Sequence, residues 1–190
     1  KIEAGKLTVE RFDFDLDPIV EEVASLFAPQ VSNKGVDLLV DLGGEAHRRV
    51  SGDPTRLRQV LLNLLGNSLK FTERGHILLE VGRDADGLVR ISVTDTGIGM
   101  NEQVQRGLFR KFVQGDSTTT RRFGGTGLGL AIANHLVRLM GGELRVTSQT
   151  DRGSTFWFTV PVEKVAAPAE APAPAPREAA RERATTPLRV

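Results

Sequence analysis

Hydrophobic residues between positions 57 and 65 recur at the spacing of an α-helix. The apolar side chains fall on one broad face, a pattern typical of a helix packed against a core. These residues are Leu57, Leu61, Leu64 and Leu65. An Asp-Pro pair at 53–54 is a helix start signal, and turn residues at 72–75 end the helix near Phe71. The pattern therefore predicts an amphipathic helix between these two signals.

Three polar residues form a stripe along another face of this predicted helix. Asn63, Asn67 and Lys70 are spaced at i, i+4 and i+7, so they project in a similar direction. Carboxamide oxygens can ligate a hard cation such as Mg²⁺, and a lysine can reach a phosphate. Gly66 lowers helix stability by about 1 kcal/mol relative to alanine and leaves room for another group to approach the backbone. On these residues alone, a core helix with an incidental polar edge remains the alternative.

The rest of the chain divides into short helices and strands. A helix is predicted to start at Asp17-Pro18 and to bury Val20, Val23, Ala24 and Phe27, and two more are predicted over residues 101–108 and 128–140. Strands are predicted over residues 8–14, 36–40, 76–81, 88–94, 143–148 and 154–162, with a loop over 43–50. Turns at 84–87 and 151–153 join two of the strand pairs into hairpins. This order predicts an α+β fold, a two-layer sandwich in which helices cover one face of a mixed, mostly antiparallel sheet.

Composition and charge narrow the classes of function. The chain has 190 residues, 39% of them hydrophobic, which is enough for one sizeable core. A formal net charge of +1 gives no overall basic field, so we expect no nucleic-acid partner. There is no cysteine and no apolar run of membrane-spanning length, so we expect a cytoplasmic domain without membrane contact. The chain does not start with Met, and we expect it to belong to a longer protein that could itself be membrane-anchored.

Both ends of the chain differ from its middle. Residues 1–7 read as the end of a helix, and the globular domain is predicted over residues 8–163. Residues 164–186 are rich in Ala, Pro, Glu and Arg with almost nothing to bury, which is typical of a linker. Residues 187–190 regain apolar character and are interpreted as the start of a further domain.

Two glycine-containing segments are candidates for ligand contact. Asp95 ends a predicted strand before Gly97 and Gly99; a carboxylate there can accept a hydrogen bond from an exocyclic amine, and glycines let a flat ring come close. A simple turn after an edge strand is the alternative. Residues 124–130 (GGTGLGL) open a helix, where backbone N–H groups can hold phosphate. Their spacing matches neither the dinucleotide fingerprint nor the P-loop.

Taken in order along the chain, these segments resemble the N, G1, F and G2 boxes of sensor histidine kinases. The four segments are the helix with Asn63, Asn67 and Lys70, residues 95–99 (DTGIG), residues 109–112 (FRKF) and residues 125–129 (GTGLG). Residues 1–7 are similar to the end of the second dimerisation helix of that family, and residues 153–156 to its last glycine motif. The resemblance covers residues 1–162 and implies the Bergerat ATP-binding fold.

The resemblance also implies roles for individual residues in binding ATP and Mg²⁺. Asn67 would be the Mg²⁺ ligand with Asn63 beside it, and Lys70 would contact phosphate oxygens; these three are the implied catalytic residues. Asp95 would bind the adenine amine, directly and through water, in a pocket lined by Gly97, Gly99 and Phe71. The implied phosphate-binding segment consists of Gly125, Thr126, Gly127, Leu128 and Gly129. Thr155 would support the Asp95 end of the pocket.

A polar segment over residues 113–126 is predicted to be a mobile lid. By resemblance, Phe109 and Phe112 would anchor it. Some family members place a basic residue near the γ-phosphate; Gln114 occupies that region here, and Arg121 and Arg122 are alternatives that are equally compatible with solvated charges.

The implied reaction transfers the γ-phosphoryl group of Mg-ATP to a histidine on a dimerisation domain upstream of residue 1. The positions of His47, His76 and His135 do not suit that acceptor, so we expect this chain to bind ATP without phosphorylating itself. The implied partners are the dimerisation domain and a downstream receiver domain, and the full-length protein would be a homodimer.

Two alternatives use the same fold. Gyrase-type, mismatch-repair and chaperone ATPases activate water with a glutamate near the start of the helix motif, where this chain has Asn63. A nucleotide-sensing pseudokinase or scaffolding module would bind nucleotide without catalysis, and only an assay of phosphoryl transfer distinguishes it from a kinase.

Overall fold

The computed structural model describes residues 9–43, 49–85, 88–108, 128–161 and 163–164. The helices are α1 (Leu16–Lys34), α2 (Pro54–Phe71), α3 (Glu102–Gly107) and α4 (Gly129–Leu139). The strands are β1 (Phe12–Asp15), β2 (Val36–Asp41), β3 (Arg49–Gly52), β4 (Gly75–Arg83), β5 (Val89–Asp95), β6 (Glu143–Gln149), β7 (Gly153–Val160) and β8 (Glu163–Lys164). No helix within these ranges is both long enough and apolar enough to cross a membrane.

The main sheet has five strands in the order β2-β4-β5-β7-β6. β2 pairs with β4 in parallel, and the other neighbours are antiparallel, including the two predicted hairpins β4-β5 and β6-β7. In this register Asp95, the last residue of β5, lies opposite Ile77 on one side and Ser154 on the other. The prediction of a mixed, mostly antiparallel sheet is confirmed.

The hydrophobic core lies between this sheet and the helices. Alternate residues of the central strands are buried, as expected for a sheet with one covered face, and they include Ile77, Leu79, Ile91, Val93, Phe156 and Phe158. The leucines predicted for α2 are all at most 3% exposed, and the four apolar residues predicted for α1 are buried as well. The two-layer sandwich is therefore confirmed.

A second sheet was not predicted. β1, β3 and β8 form a three-stranded antiparallel sheet, in which Phe14 lies opposite Val50 and Val50 lies opposite Lys164. The first two residues of β3, Arg49 and Val50, fall in the segment that was predicted to be a loop. A four-residue strand with a single buried apolar residue, Val50, carries no periodicity, and only pairing with distant strands reveals it.

The start of α2 agrees with the prediction, whereas α1 begins earlier than predicted. The Asp53 side chain caps α2 by accepting the Arg56 N–H at 3.0 Å, and it also accepts the Glu10 N–H at 3.1 Å. α1 begins at Leu16 with Asp15 as its N-cap, so Asp17 lies in the first turn and is not the cap. Leu16 is 1% exposed, and its burial favours the earlier start.

Several predictions fall outside the described residues. They concern the end of the dimerisation helix, the F-box segment with Phe109 and Phe112, the lid with Gln114, Arg121 and Arg122, the linker, the possible further domain, and His47.

Candidate functional site

Asn63, the first residue of the polar stripe of α2, lies against the start of α4. Asn63, Asn67 and Lys70 are half-buried on a helix whose other side is fully packed into the core. The Oδ1 atom of Asn63 lies 3.1 Å from the position of a Cβ atom added to Gly129, the first residue of α4. The structure therefore brings Asn63 of the predicted cation-binding stripe next to the end of the predicted phosphate-binding segment.

The N-terminus of α4 lies at the end of the segment that was predicted to bind phosphate. Its N-cap, Leu128, has no polar side chain that could satisfy the first N–H groups of the helix. Unsatisfied N–H groups and the helix dipole favour a negative charge at this end. Gly125, Thr126 and Gly127, which would extend the site, lie outside the described residues.

At the other end of α2, the last turn is held by α1. The Lys34 ammonium donates to the Leu69 carbonyl and, at 3.3 Å, to the Lys70 carbonyl, which places a cation at the negative end of the helix. The Lys70 ammonium lies 4.9 Å from the centre of the Phe71 ring. These contacts fix the segment that was predicted to lie near phosphate and base.

Asp95 is a buried carboxylate at the end of β5, only 4% exposed. Its Oδ1 atom accepts the Gly97 N–H at 2.9 Å, and its Oδ2 atom accepts the Ser68 hydroxyl at 3.4 Å. Burial raises the pKa of this carboxyl above its usual value, while hydrogen bonds from the backbones of Gly97 and Ser154 and from the Ser68 hydroxyl act in the opposite direction. A carboxylate held in this way is suited to accept hydrogen bonds from a ligand.

The loop after Asp95 is closely packed against two other segments. The Ile98 N–H donates to the Phe71 carbonyl at 3.3 Å, and the Ile98 carbonyl accepts the Asp151 N–H at 2.8 Å. A Cβ on Gly97 would lie 2.4 Å from the Phe71 carbonyl oxygen, and one on Gly99 would lie 1.9 Å from that of Gln149. Both glycines were predicted to let a ring approach; the structure shows that close packing of the chain itself requires them.

Thr155 lies beside Thr94 rather than against the Asp95 carboxylate. The two threonine hydroxyl oxygens are 3.1 Å apart, and the alternation along β7 places Thr155 on the opposite face of the sheet from the buried Phe156. The buried neighbour of Asp95 on β7 is Ser154. Ser154 and Ser68 are the two residues next to the carboxylate that sequence reasoning did not assign. The period of two in β7, read from Phe156 and Phe158, would have placed Ser154 on the Asp95 face.

Other predicted features contribute less to the site. The Phe27 ring of α1 lies beside Gly66, with its Cζ atom 4.0 Å from the position of a Cβ added to the glycine. The space predicted next to Gly66 is therefore occupied by α1. His76 lies in β4, and His135 is exposed on α4. Within the described ranges there is no group of three or more His, Cys, Asp or Glu residues that could hold a metal ion.

Comparison with known proteins places the chain among ATPases of one superfamily. Residues 52–164 match the family described as "Histidine kinase-, DNA gyrase B-, and HSP90-like ATPase". The signal transduction histidine-protein kinase BarA of Escherichia coli (strain K12) is 42% identical over 167 residues, which cover 86% of this chain and 18% of BarA. The chain thus spans about a fifth of the length of that relative.

Solved structures show the same fold. A full-length structure of ShkA in complex with AMPPNP has a TM-score of 0.77 and 35% identity, covering 86% of this chain and 34% of that one. The nucleotide-free catalytic domain of the histidine kinase ThkA has a TM-score of 0.69 and 30% identity, covering 80% of this chain and 95% of that domain.

Proposed function

Because this chain belongs to the histidine kinase-, DNA gyrase B- and HSP90-like ATPase family and forms the ATP-binding catalytic domain of a two-component sensor histidine kinase, we propose that it positions Mg-ATP for phosphoryl transfer to a histidine of a dimerisation domain. One observation carries the assignment of the site: α2 contacts Asp95 through Ser68 and the start of α4 through Asn63. A candidate base acceptor and a candidate phosphate site are thereby aligned along one helix.

We propose that Asp95 recognises the adenine base. Its carboxylate is buried, is held at both oxygens and can accept the 6-amino group of adenine, directly and through water. Gly97, Gly99 and Phe71 would line this pocket, because the loop that contains both glycines is bonded to the Phe71 carbonyl. Thr155 would act indirectly, through its contact with Thr94 next to Asp95.

The phosphates would lie at the start of α4. Gly125, Thr126, Gly127, Leu128 and Gly129 would offer backbone N–H groups to them, and Lys70 would add a positive charge.

The residues present also fit Mg²⁺. This ion is usually bound through a few protein oxygens, substrate phosphates and water, and the Asn67 carboxamide, with Asn63 beside it, can supply such an oxygen. When bound, Mg²⁺ would offset charge on the triphosphate.

In the proposed transfer, a histidine nitrogen forms a bond to the γ-phosphorus while the bond from that phosphorus to the β,γ-bridging oxygen breaks. The chain contributes position and charge: Asp95 fixes the base, and the N-terminus of α4 and Lys70 hold the phosphates. Asn63 has no carboxylate to activate water, which favours a protein acceptor over hydrolysis.

The chain spans 18% of the length of BarA. The domains that a longer protein would contain are therefore part of the same proposal. We propose a dimerisation domain that supplies the acceptor histidine, a downstream receiver domain and a homodimeric full-length protein. The catalytic domain would act in the cytoplasm, and the full-length protein could be anchored in the membrane.

The proposal is tested by mixing this chain with a separate dimerisation-domain fragment, Mg²⁺ and ATP labelled at the γ-phosphate. We expect labelled histidine only when both proteins are present, with a dimerisation fragment lacking the acceptor histidine as the control. ATP binding without any labelling would instead identify a nucleotide-sensing module.

A further inference from the structure

We propose that Ser68 is a positioning residue for base recognition, whose hydroxyl holds Oδ2 of Asp95 in the orientation that meets the exocyclic amine of adenine. The inference rests on the proposed function, because it assigns a role to Ser68 within the same site. Ser68 lies one residue after the candidate Mg²⁺ ligand Asn67.

The geometry links the helix layer to the sheet. Ser68 lies on α2 and is 1% exposed, while Asp95 lies at the end of β5 and is 4% exposed. The hydroxyl oxygen is 3.4 Å from Oδ2, and the Gly97 N–H holds Oδ1 at 2.9 Å. The carboxylate is thus held at both oxygens, by a side chain of α2 and by the backbone of the loop that follows β5.

Holding both oxygens has a chemical consequence. An ionised carboxylate only accepts hydrogen bonds, so it matches an amine, which donates. The Ser68 hydroxyl favours this ionised form and restricts rotation of the carboxylate plane. An alanine at position 68 would leave Oδ2 without this donor while Gly97 still held Oδ1.

The same hydroxyl could simply satisfy a buried polar group without affecting the ligand. Thr72 provides the matched control, because it is the C-cap residue of α2, one turn after Ser68, and is fully buried. Its hydroxyl has no hydrogen-bond partner among the described residues. Thr72→Val therefore removes a buried hydroxyl from the same helix without removing a contact to Asp95.

The test measures the affinity of the chain, by calorimetry in Mg²⁺, for ATP and for purine riboside triphosphate, which lacks the 6-amino group. Ser68→Ala should weaken ATP binding roughly three- to tenfold, which corresponds to the net contribution of a typical hydrogen bond. Its affinity for the amine-free nucleotide should change by less than about twofold, as expected when the lost energy couples to the amine. Thr72→Val should leave both affinities unchanged.

A second variant separates the hydroxyl from the volume it fills. Ser68→Cys keeps the shape of the side chain but offers only a weak donor, so it should behave like Ser68→Ala even if the alanine variant proves unstable. Equal losses for both nucleotides, unchanged ATP affinity in both variants, or an equal loss in Thr72→Val would each overturn the inference. A wild-type chain that does not bind ATP would instead overturn the proposed function, and the inference with it.

Discussion

Asn63 Oδ1 lies 3.1 Å from the position that a Cβ atom on Gly129 would occupy, so the middle of α2 and the first residue of α4 are in close contact. This separation is tighter than an ordinary van der Waals contact. A glycine at this position allows the start of α4, the proposed phosphate site, to lie directly against Asn63 of α2.

Replacing Gly129 by alanine should therefore displace the Asn63 side chain by a few tenths of an ångström. We expect Mg-ATP affinity to fall roughly three- to tenfold, because small displacements of positioned groups are costly to a site. Gly66→Ala is the control: its new methyl group would meet Phe27 at an ordinary 4.0 Å. It should raise the free energy of unfolding by about 0.5–1 kcal/mol without changing affinity. Equal affinities for the Gly129 variant and wild type would contradict the prediction.

Asn67→Ala should remove the contribution of Mg²⁺ to nucleotide binding while leaving the fold intact. We expect the ATP affinity of the variant in Mg²⁺ to equal its affinity in EDTA, as measured by calorimetry. Thermal unfolding should change little, since alanine is a better helix former than asparagine. Gln59→Ala, which removes a carboxamide from an exposed position of α2, should keep the full response to Mg²⁺. A response that persists in the Asn67 variant would exclude Asn67 as the ligand.

Gly99→Ala should destabilise the whole domain, because the new Cβ would lie 1.9 Å from the Gln149 carbonyl oxygen and the backbone φ is +61°. We expect a loss of about 2 kcal/mol or more in the free energy of unfolding, measured by urea denaturation. Gly82→Ala, where nothing lies within 4 Å of the added atom, should change stability by no more than about 0.5–1 kcal/mol. Similar stabilities for the two variants would show that the loop can move away from β6.

Asp95→Asn should bind ATP at least about tenfold more weakly, since a charged acceptor is lost, and yet should be more stable than wild type at pH 7. Burial raises the pKa of Asp95 in the folded chain above its ordinary value of 3.8, so the folded state binds this proton more tightly than the unfolded state does. The stability associated with the protonated carboxyl is present below pH 3.8 and is lost as the pH rises through the folded pKa.

Urea denaturation across this pH range checks the sign of the effect. The stability advantage of Asp95→Asn over wild type should shrink as the pH is lowered towards 3.8. An advantage that grows on acidification would mean that the hydrogen bonds to the carboxylate outweigh the effect of its burial.

Local patterns predicted most of the fold. The leucine periodicity of α2, its Asp-Pro start and the two hairpin turns depend on neighbouring residues, and each is found at or near its predicted position. β3 and β8 could not be predicted, because both are short: β8 pairs with β3, and β3 pairs with β8 and with β1.

The site was predictable in its residue types and less so in its contacts. Asp95 and the α2 stripe are recognisable from their chemistry. The Ser68 hydrogen bond and the pairing of Ser154 with Asp95 depend on how α2 and β7 pack against β5. Local sequence also could not show why Gly97 and Gly99 must be glycines. The carbonyl groups that leave no room for a side chain there belong to the distant residues 71 and 149.

Helix α2 also fixes the distance between the two ends of the site. Its two contacts to the ends of the site, Asn63 and Ser68, are five residues apart, which corresponds to about 7.5 Å along a helix axis. Inserting one residue between them would turn one contact by roughly 100° relative to the other, so that both could not be kept. The length of this interval is therefore more tightly constrained than the identity of the residues within it.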